Sequence, residues 1–229
     1  MARRAPTQIL LPIPQTRGGR RRGAGRKPTG LRSGVRHAGR PEHDRRLPLL
    51  VTLRAANGVS SLRSSVVFPS LRSALARSTR AGFRVLHFSA QRDHLHLIVE
   101  ADSALARSRG LQGLAIRCAR AINRSAGRRG RLWSDRFHAR ALATPLEVRR
   151  GLVYVLLNYR KHLRAPAGVD PFSSGPWFDG WRKPPATVGA SSPVAAPRTW
   201  LGARGWQRAG GLIDWNEAPA PARPPAQQN

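Results

Sequence analysis

Two histidines separated by a single residue, His94-Leu95-His96, open the alternating run HLHLIVE. On a strand, residues two apart project from one face, so both imidazoles point the same way while Leu95, Leu97 and Val99 form the packed face. Two imidazoles a few ångström apart are two ligands for a divalent cation, most naturally Mg²⁺ or Mn²⁺ when oxygen completes the shell. A second chemical group lies downstream. Thr144-Pro145-Leu146-Glu147 is a capping box with proline at the first helical position, which starts a helix running to about Leu163. At about 100° per residue its hydrophobic residues fill one arc, and Glu147, Arg150, Tyr154, Asn158, Lys161 and His162 fill the other. Tyr154 lies in the middle of the polar sector, with Asn158 one turn along on the same side. A tyrosine kept for packing belongs in the apolar arc, where Tyr159 is.

These groups make chemical sense together. A phenol can attack a DNA phosphodiester if a cation relieves charge on the phosphoryl oxygens. The products are a phosphotyrosine on one DNA end and a free 3′-hydroxyl on the other, so the strand can be rejoined without ATP. Gly23-Ala24-Gly25 has no preceding strand and no Gly-Lys-Ser/Thr ending, and is not a phosphate loop. Asn158 supplies either a third, neutral oxygen ligand or a group that orients the phenol.

The elements that must position these residues follow from periodicity. Residues 47–54 (LPLLVTLR) read as a strand, 69–81 as an amphipathic helix stopped by Gly82, and 83–89 (FRVLHFS) as a second strand. A turn at 90–93 leads into the histidine strand, so a hairpin is expected. Leu111, Leu114, Ala115, Cys118, Ala121 and Ile122 make a helical stripe within 105–126, and 136–142 (RFHARAL) alternates again. The order β-α-β-β-α-β plus a last helix predicts an α+β, ferredoxin-like split βαβ fold, with an antiparallel sheet and two helices on one face.

Charge names the partner. The 229 residues hold 41 Lys+Arg against 11 Asp+Glu, a net charge of +30. The imbalance is +11 in residues 1–46, +17 in 47–164 and +2 in 165–229, so the first two segments carry the polyanion-binding potential. Arginine, which dominates, suits bidentate phosphate pairing. Segment 1–46 is Gly-, Arg- and Pro-rich and is expected to be a disordered basic arm. Segment 47–164 is expected to be the catalytic domain, and 165–229 an irregular Pro-, Gly- and Trp-containing extension. On the second helix Arg117, Arg120, Arg124 and Arg128 recur every three or four residues, a self-repelling row suited to a phosphate backbone. Arg136, His138 and Arg140 share one strand face, and either contact DNA or flank the metal site. His87 reads as a satisfied sheet histidine. A single cysteine, Cys118, excludes an intrachain disulfide framework. With no membrane-length apolar run and no signal peptide pattern, a soluble cytoplasmic protein is expected.

With these residues in place, the chain resembles the Y1 HUH transposases of the IS200 type, in particular their REP-associated tyrosine transposase branch. The resemblance covers residues 47–164. It is carried by His94-Leu95-His96 within DHLHLIVE, by WSDRFH at 133–138, and by Tyr154-Val155-Leu156-Leu157-Asn158. It implies His94 and His96 as metal ligands, Tyr154 as nucleophile and Asn158 in the helix position that completes the metal site. Single-stranded DNA, often a folded hairpin, is the implied substrate, handled by a monomer or by a homodimer whose protomers complete each other's sites. Two departures stand out. The family's first strand often carries a central histidine where this chain has Leu49-Leu50-Val51, and Tyr159 replaces a frequent proline. Both keep open an alternative: an inactive or domesticated nucleic-acid-binding protein on the same fold. An RNA-recognition module lacks its aromatic motif here. A carboxylate-triad nuclease has too few acids, since residues 47–164 contain only Asp93, Glu100, Asp102, Asp135 and Glu147.

Overall fold

The alternating stretches become four strands: β1 (Leu49–Arg54), β2 (Phe83–Ala90), β3 (His94–Ala101) and β4 (His138–Ala141). The computed structural model describes residues 42–163, 168–185 and 191–219. The basic arm therefore lies, up to position 41, outside the described residues. All pairings are antiparallel, in the order β2-β3-β1-β4. The helices are α1 (Val67–Ala76), α2 (Ala104–Ser125) and α3 (Pro145–Leu163), so the chain is α+β with the expected β-α-β-β-α-β order.

Strand parity divides the molecule into two cores. Leu49, Val51 and Leu53 of β1 and Leu95, Leu97 and Val99 of β3 face α1 and α2, which bury Phe68, Leu71, Leu75, Leu111, Leu114, Cys118 and Ile122 against them. A bulge on β2 between Val85 and His87 inserts Leu86, which moves to the opposite face while Val85 and Phe88 both stay in the first core. That opposite face is not open. Leu86 and Ile98 pack against Val148, Leu152, Val155 and Leu156 of α3, and Phe178, Trp181, Leu201, Trp206 and Ile213 of the C-terminal segment close over them. Two isolated helical pieces, α4 (Trp200–Ala203) and the 3-10 turn Gly205–Ala209, carry part of this cover. A second core is thus built along the face that bears the histidines.

Two boundaries differ from expectation. The first helix begins at Val67 and ends at Ala76 rather than running over 69–81. Pro69 is tolerated because it falls in the first turn, where backbone N–H groups have no acceptor within the helix. Gly82 does not stop the helix. With φ at 75° it serves a tight turn in which Arg80 and Phe83 exchange backbone hydrogen bonds of 2.9 and 3.0 Å. The fourth strand is only four residues long, and Arg136 precedes it.

Candidate active site

Parity and register decide what meets what. His94 and His96 project from the same side of β3, and the register sets Thr52 of β1 beside His96 and Arg54 beside His94. One strand further, His138 of β4 lies opposite Thr52, so Ser89, His96, Thr52 and His138 form one row across the sheet. The helix α3 crosses this face and brings Tyr154 down upon it. The Tyr154 hydroxyl lies 3.5 Å from His96 Nε2, and the two rings meet edge to face at a centroid separation of 4.9 Å. The two imidazoles are nearly parallel, 4° apart, with centroids 5.9 Å from one another.

The second nitrogen of each histidine is engaged. His94 Nδ1 lies 2.8 Å from Asp93 Oδ1. A carboxylate can only accept, so Nδ1 carries a proton, and it is the neutral form of the ring that directs a lone pair outward from Nε2. His96 Nδ1 meets Thr52 Oγ1 at 3.1 Å; with that nitrogen donating, Nε2 again carries the lone pair, toward Tyr154. Orientation of both rings through Nδ1 is the arrangement metal-binding histidines require. Burial opposes ionisation of Asp93, but the hydrogen bond from His94 and the nearby charges of His94 and Arg54 outweigh it and hold the carboxyl below its usual range. Arg54 Nε is 3.8 Å from Asp93. Thr52, Asp93 and Arg54 are the site residues that sequence reasoning did not single out. Their signals were present: Thr52 has the parity opposite to the core residues Val51 and Leu53, and Asp93 directly precedes the pair.

Tyr154 is half-buried, and loss of solvent raises its pKa, which keeps the phenol protonated at neutral pH. Asn158, one turn on, is 2 % exposed and its Nδ2 has no hydrogen-bond partner. A buried unmatched amide costs stability unless something else meets it. Among the described residues no group of three or more His, Cys, Asp or Glu side chains gathers to hold a metal. The two imidazole Nε2 atoms, with oxygens from outside the chain, are donors that suit a hard divalent ion with an open shell; Asn158 could add only its Oδ1, because the orphaned Nδ2 is an N–H donor and does not bind a cation.

The arginines divide into two groups. Arg140 pairs with Glu147 at 3.0 Å; at the helix start the Glu147 N–H donates to Thr144 Oγ1, and the Glu147 carboxylate accepts from Ala143 N, one residue before the cap. His138 is exposed on the same side of the sheet as Tyr154, and Arg136, also exposed, lies in the segment before β4. The row on α2 is elsewhere: α2 packs on the first core, across the sheet from α3. Arg120 and Arg124 are exposed there, and Arg117 reaches Ser78 Oγ at 3.2 Å. Arg128 is not part of the helical row, because α2 ends at Ser125. Beyond Gly127 (φ 60°) it folds back to donate to Asn123 and to the carbonyl of Arg131. His87 is a structural residue, as read: Nδ1 lies 3.4 Å from Ser174 Oγ, its ring meets Phe178 edge-on, and burial pushes its pKa down to about 4.

No family model and no curated protein matches the chain. Among solved structures it is similar to a REP-associated tyrosine transposase bound to a REP hairpin, with 19% sequence identity, a TM-score of 0.48, and coverage of 59% of this chain and 81% of that one.

Proposed function

We propose that the protein nicks and rejoins single-stranded or hairpin DNA through Tyr154, as a Y1-type tyrosine transposase. The observation that carries this reading is the Tyr154 hydroxyl 3.5 Å from His96 Nε2, on the face shared by His94. In the reaction the phenolic oxygen bonds to phosphorus, the bond from phosphorus to the 3′-oxygen breaks, and the phenol's proton ends on the departing 3′-hydroxyl. The energy of the broken ester is kept in the 5′-phosphotyrosine, so the strand can be resealed to a new 3′ end. His94 and His96 through Nε2, with Asn158 as third protein group, would hold Mg²⁺ or Mn²⁺. Bound there, the ion supplies charge neutralisation at the phosphoryl oxygens. Asp93 favours the tautomer of His94 that this needs, and Thr52 orients the His96 ring through Nδ1. The protonated state of Tyr154 at rest keeps the nucleophile inert until a phosphate is seated. Arg54 borders the same face and offers positive charge to the backbone, with the His138 imidazole two strands from the histidine pair as a further hydrogen-bonding group. Such an enzyme is expected in the cytoplasm, as a monomer or a homodimer.

The test is covalent trapping. Incubation with Mn²⁺ and hairpin-tailed single-stranded DNA, followed by SDS denaturation, should leave a protein–DNA adduct with wild type and none with Tyr154→Phe. Absence of an adduct on every such substrate, with DNA binding retained, would instead establish the non-catalytic binding protein.

A further inference from the structure

At the end of β3 away from the histidines, a cavity of about 700 Å³ opens between the segment before β1, the start of α3 and α4. Its wall includes Arg45, Arg46, Arg198, Pro145 and Trp200. Trp200 is 52% exposed, unusual for so large a ring in a chain with this much core available to it. The indole is nonetheless held firmly. Its benzo edge packs on Gly205, where an added Cβ would come within 2.7 Å, and the Arg208 guanidinium lies over the ring at 5.0 Å. Its backbone is anchored from below. The buried Glu100 carboxylate accepts from Arg198 N, Thr199 N and Thr199 Oγ1 at 2.8–3.0 Å, and from Arg84 Nε at 3.1 Å. Thr199 in turn caps α4 by accepting from Gly202 N. A buried acid satisfied by four donors fixes the Trp200 loop to the same strand that bears His94 and His96.

The charges around the ring are unequally spent. Arg46 is committed to Asp44, and Arg84 to Glu100 and Asp102. No carboxylate of the described residues pairs with Arg45 or Arg198, and both are exposed. A rigid, half-exposed indole beside unneutralised guanidinium groups has the chemistry of a base-stacking platform with phosphate clamps. A path connects it to the proposed nucleophile. Along α3, Leu146, Arg150 and Tyr154 follow one another at one-turn intervals, Leu146 and Arg150 exposed, and Pro145 to Tyr154 spans about 14 Å of helix. We propose that this cavity is a second nucleic-acid subsite, in which an unpaired base of the single strand leading to Tyr154 stacks on Trp200 and its phosphates meet Arg45 and Arg198. The proposal deepens the single-stranded DNA reading and rests on it.

Binding is measured by fluorescence anisotropy with labelled oligo-dT, whose unpaired bases stack without any sequence being known, and with a duplex of equal length. Trp200→Ala should weaken oligo-dT binding about tenfold, the loss of one stacked base, while leaving the duplex unaffected. Trp200→Phe should restore most of the loss, which an unfolded variant would not do. Arg45→Ala with Arg198→Ala should flatten the slope of log affinity against log salt by about 1.4, two phosphates released on a single strand. Oligo-dT binding indifferent to Trp200→Ala, or an equal loss on duplex, overturns the subsite. The adduct assay separates the two readings. An adduct with no Trp200 effect removes the subsite alone; Trp200-dependent binding with no adduct keeps the subsite and removes the catalytic reading.

Discussion

The hydrogen bond from His94 Nδ1 to Asp93 is the most informative contact to perturb. Asp93→Asn keeps the shape of the side chain and sits where the native residue is half-exposed, so the fold should survive. The change is chemical. A carboxylate can only accept at 2.8 Å, which compels the Nδ1–H tautomer, whereas an amide can rotate to offer an N–H and stabilise the opposite tautomer. The wrong tautomer places a proton on Nε2 and cancels the lone pair needed for a cation. Loss of such a carboxylate partner costs about 10–100-fold in metal affinity. Thr52→Val removes the weaker, neutral partner of His96 at 3.1 Å and should cost less, on the order of fivefold, matching about 1 kcal/mol for one neutral hydrogen bond. Mn²⁺ titration followed by electron paramagnetic resonance reads both without requiring turnover, and adduct formation should fall in the same order. If Asp93→Asn binds Mn²⁺ as tightly as wild type, the carboxylate does not set the His94 tautomer that a cation requires.

Three further outcomes are expected. His87 is held neutral by burial with a pKa near 4, against 6.5 when unfolded, so the unfolded chain binds more protons between those values. Stability from this residue is intact above pH 6.5 and falls as pH drops toward 4, by up to about 3 kcal/mol. Urea midpoints at pH 7 and pH 4.5 should differ less in His87→Leu than in wild type, and an unchanged difference would contradict the assignment. Gly110→Ala should destabilise by on the order of 2 kcal/mol in urea unfolding, because the new Cβ would lie 2.3 Å from the buried Phe83 ring, a clash larger than the helix propensity gained. Finally, DNA affinity should drop steeply between low and moderate salt, as neutralisation of several phosphates requires. A flat dependence would exclude a nucleic-acid partner for a chain of net charge +30.

The element order was legible because each element carries its own period. Alternation in HLHLIVE, the stripe through Leu111, Leu114, Cys118 and Ile122, and the Thr144–Glu147 capping box are local patterns, and the structure realises all three. The facing of His94 with His96 is equally local, since strand parity alone sets it. Where a short-range competitor existed, the boundaries moved. Gly82 looked like a helix stop, but its positive φ was taken by the turn between Arg80 and Phe83. Arg128 kept the helical spacing yet falls past the last turn of α2, where Asn123 and the Arg131 carbonyl claim its guanidinium.

By itself, then, the sequence determined which residues carry reactive groups, which element each occupies, and which side of that element it faces, because all of these depend on neighbours within a few residues. Only the tertiary structure decided that α3 lies on the histidine side of the sheet rather than beside α1 and α2. That choice rests on Leu86 and Ile98, apolar residues of the face bearing His96, which need a partner and find it in Val148, Leu152, Val155 and Leu156 together with the aromatic cover from Phe178, Trp181 and Trp206. Packing at this second core sets the distance from Tyr154 to His96 and places the α2 arginines on the other side. No periodicity in one segment encodes that outcome, since it depends on the summed burial of surfaces far apart in the chain.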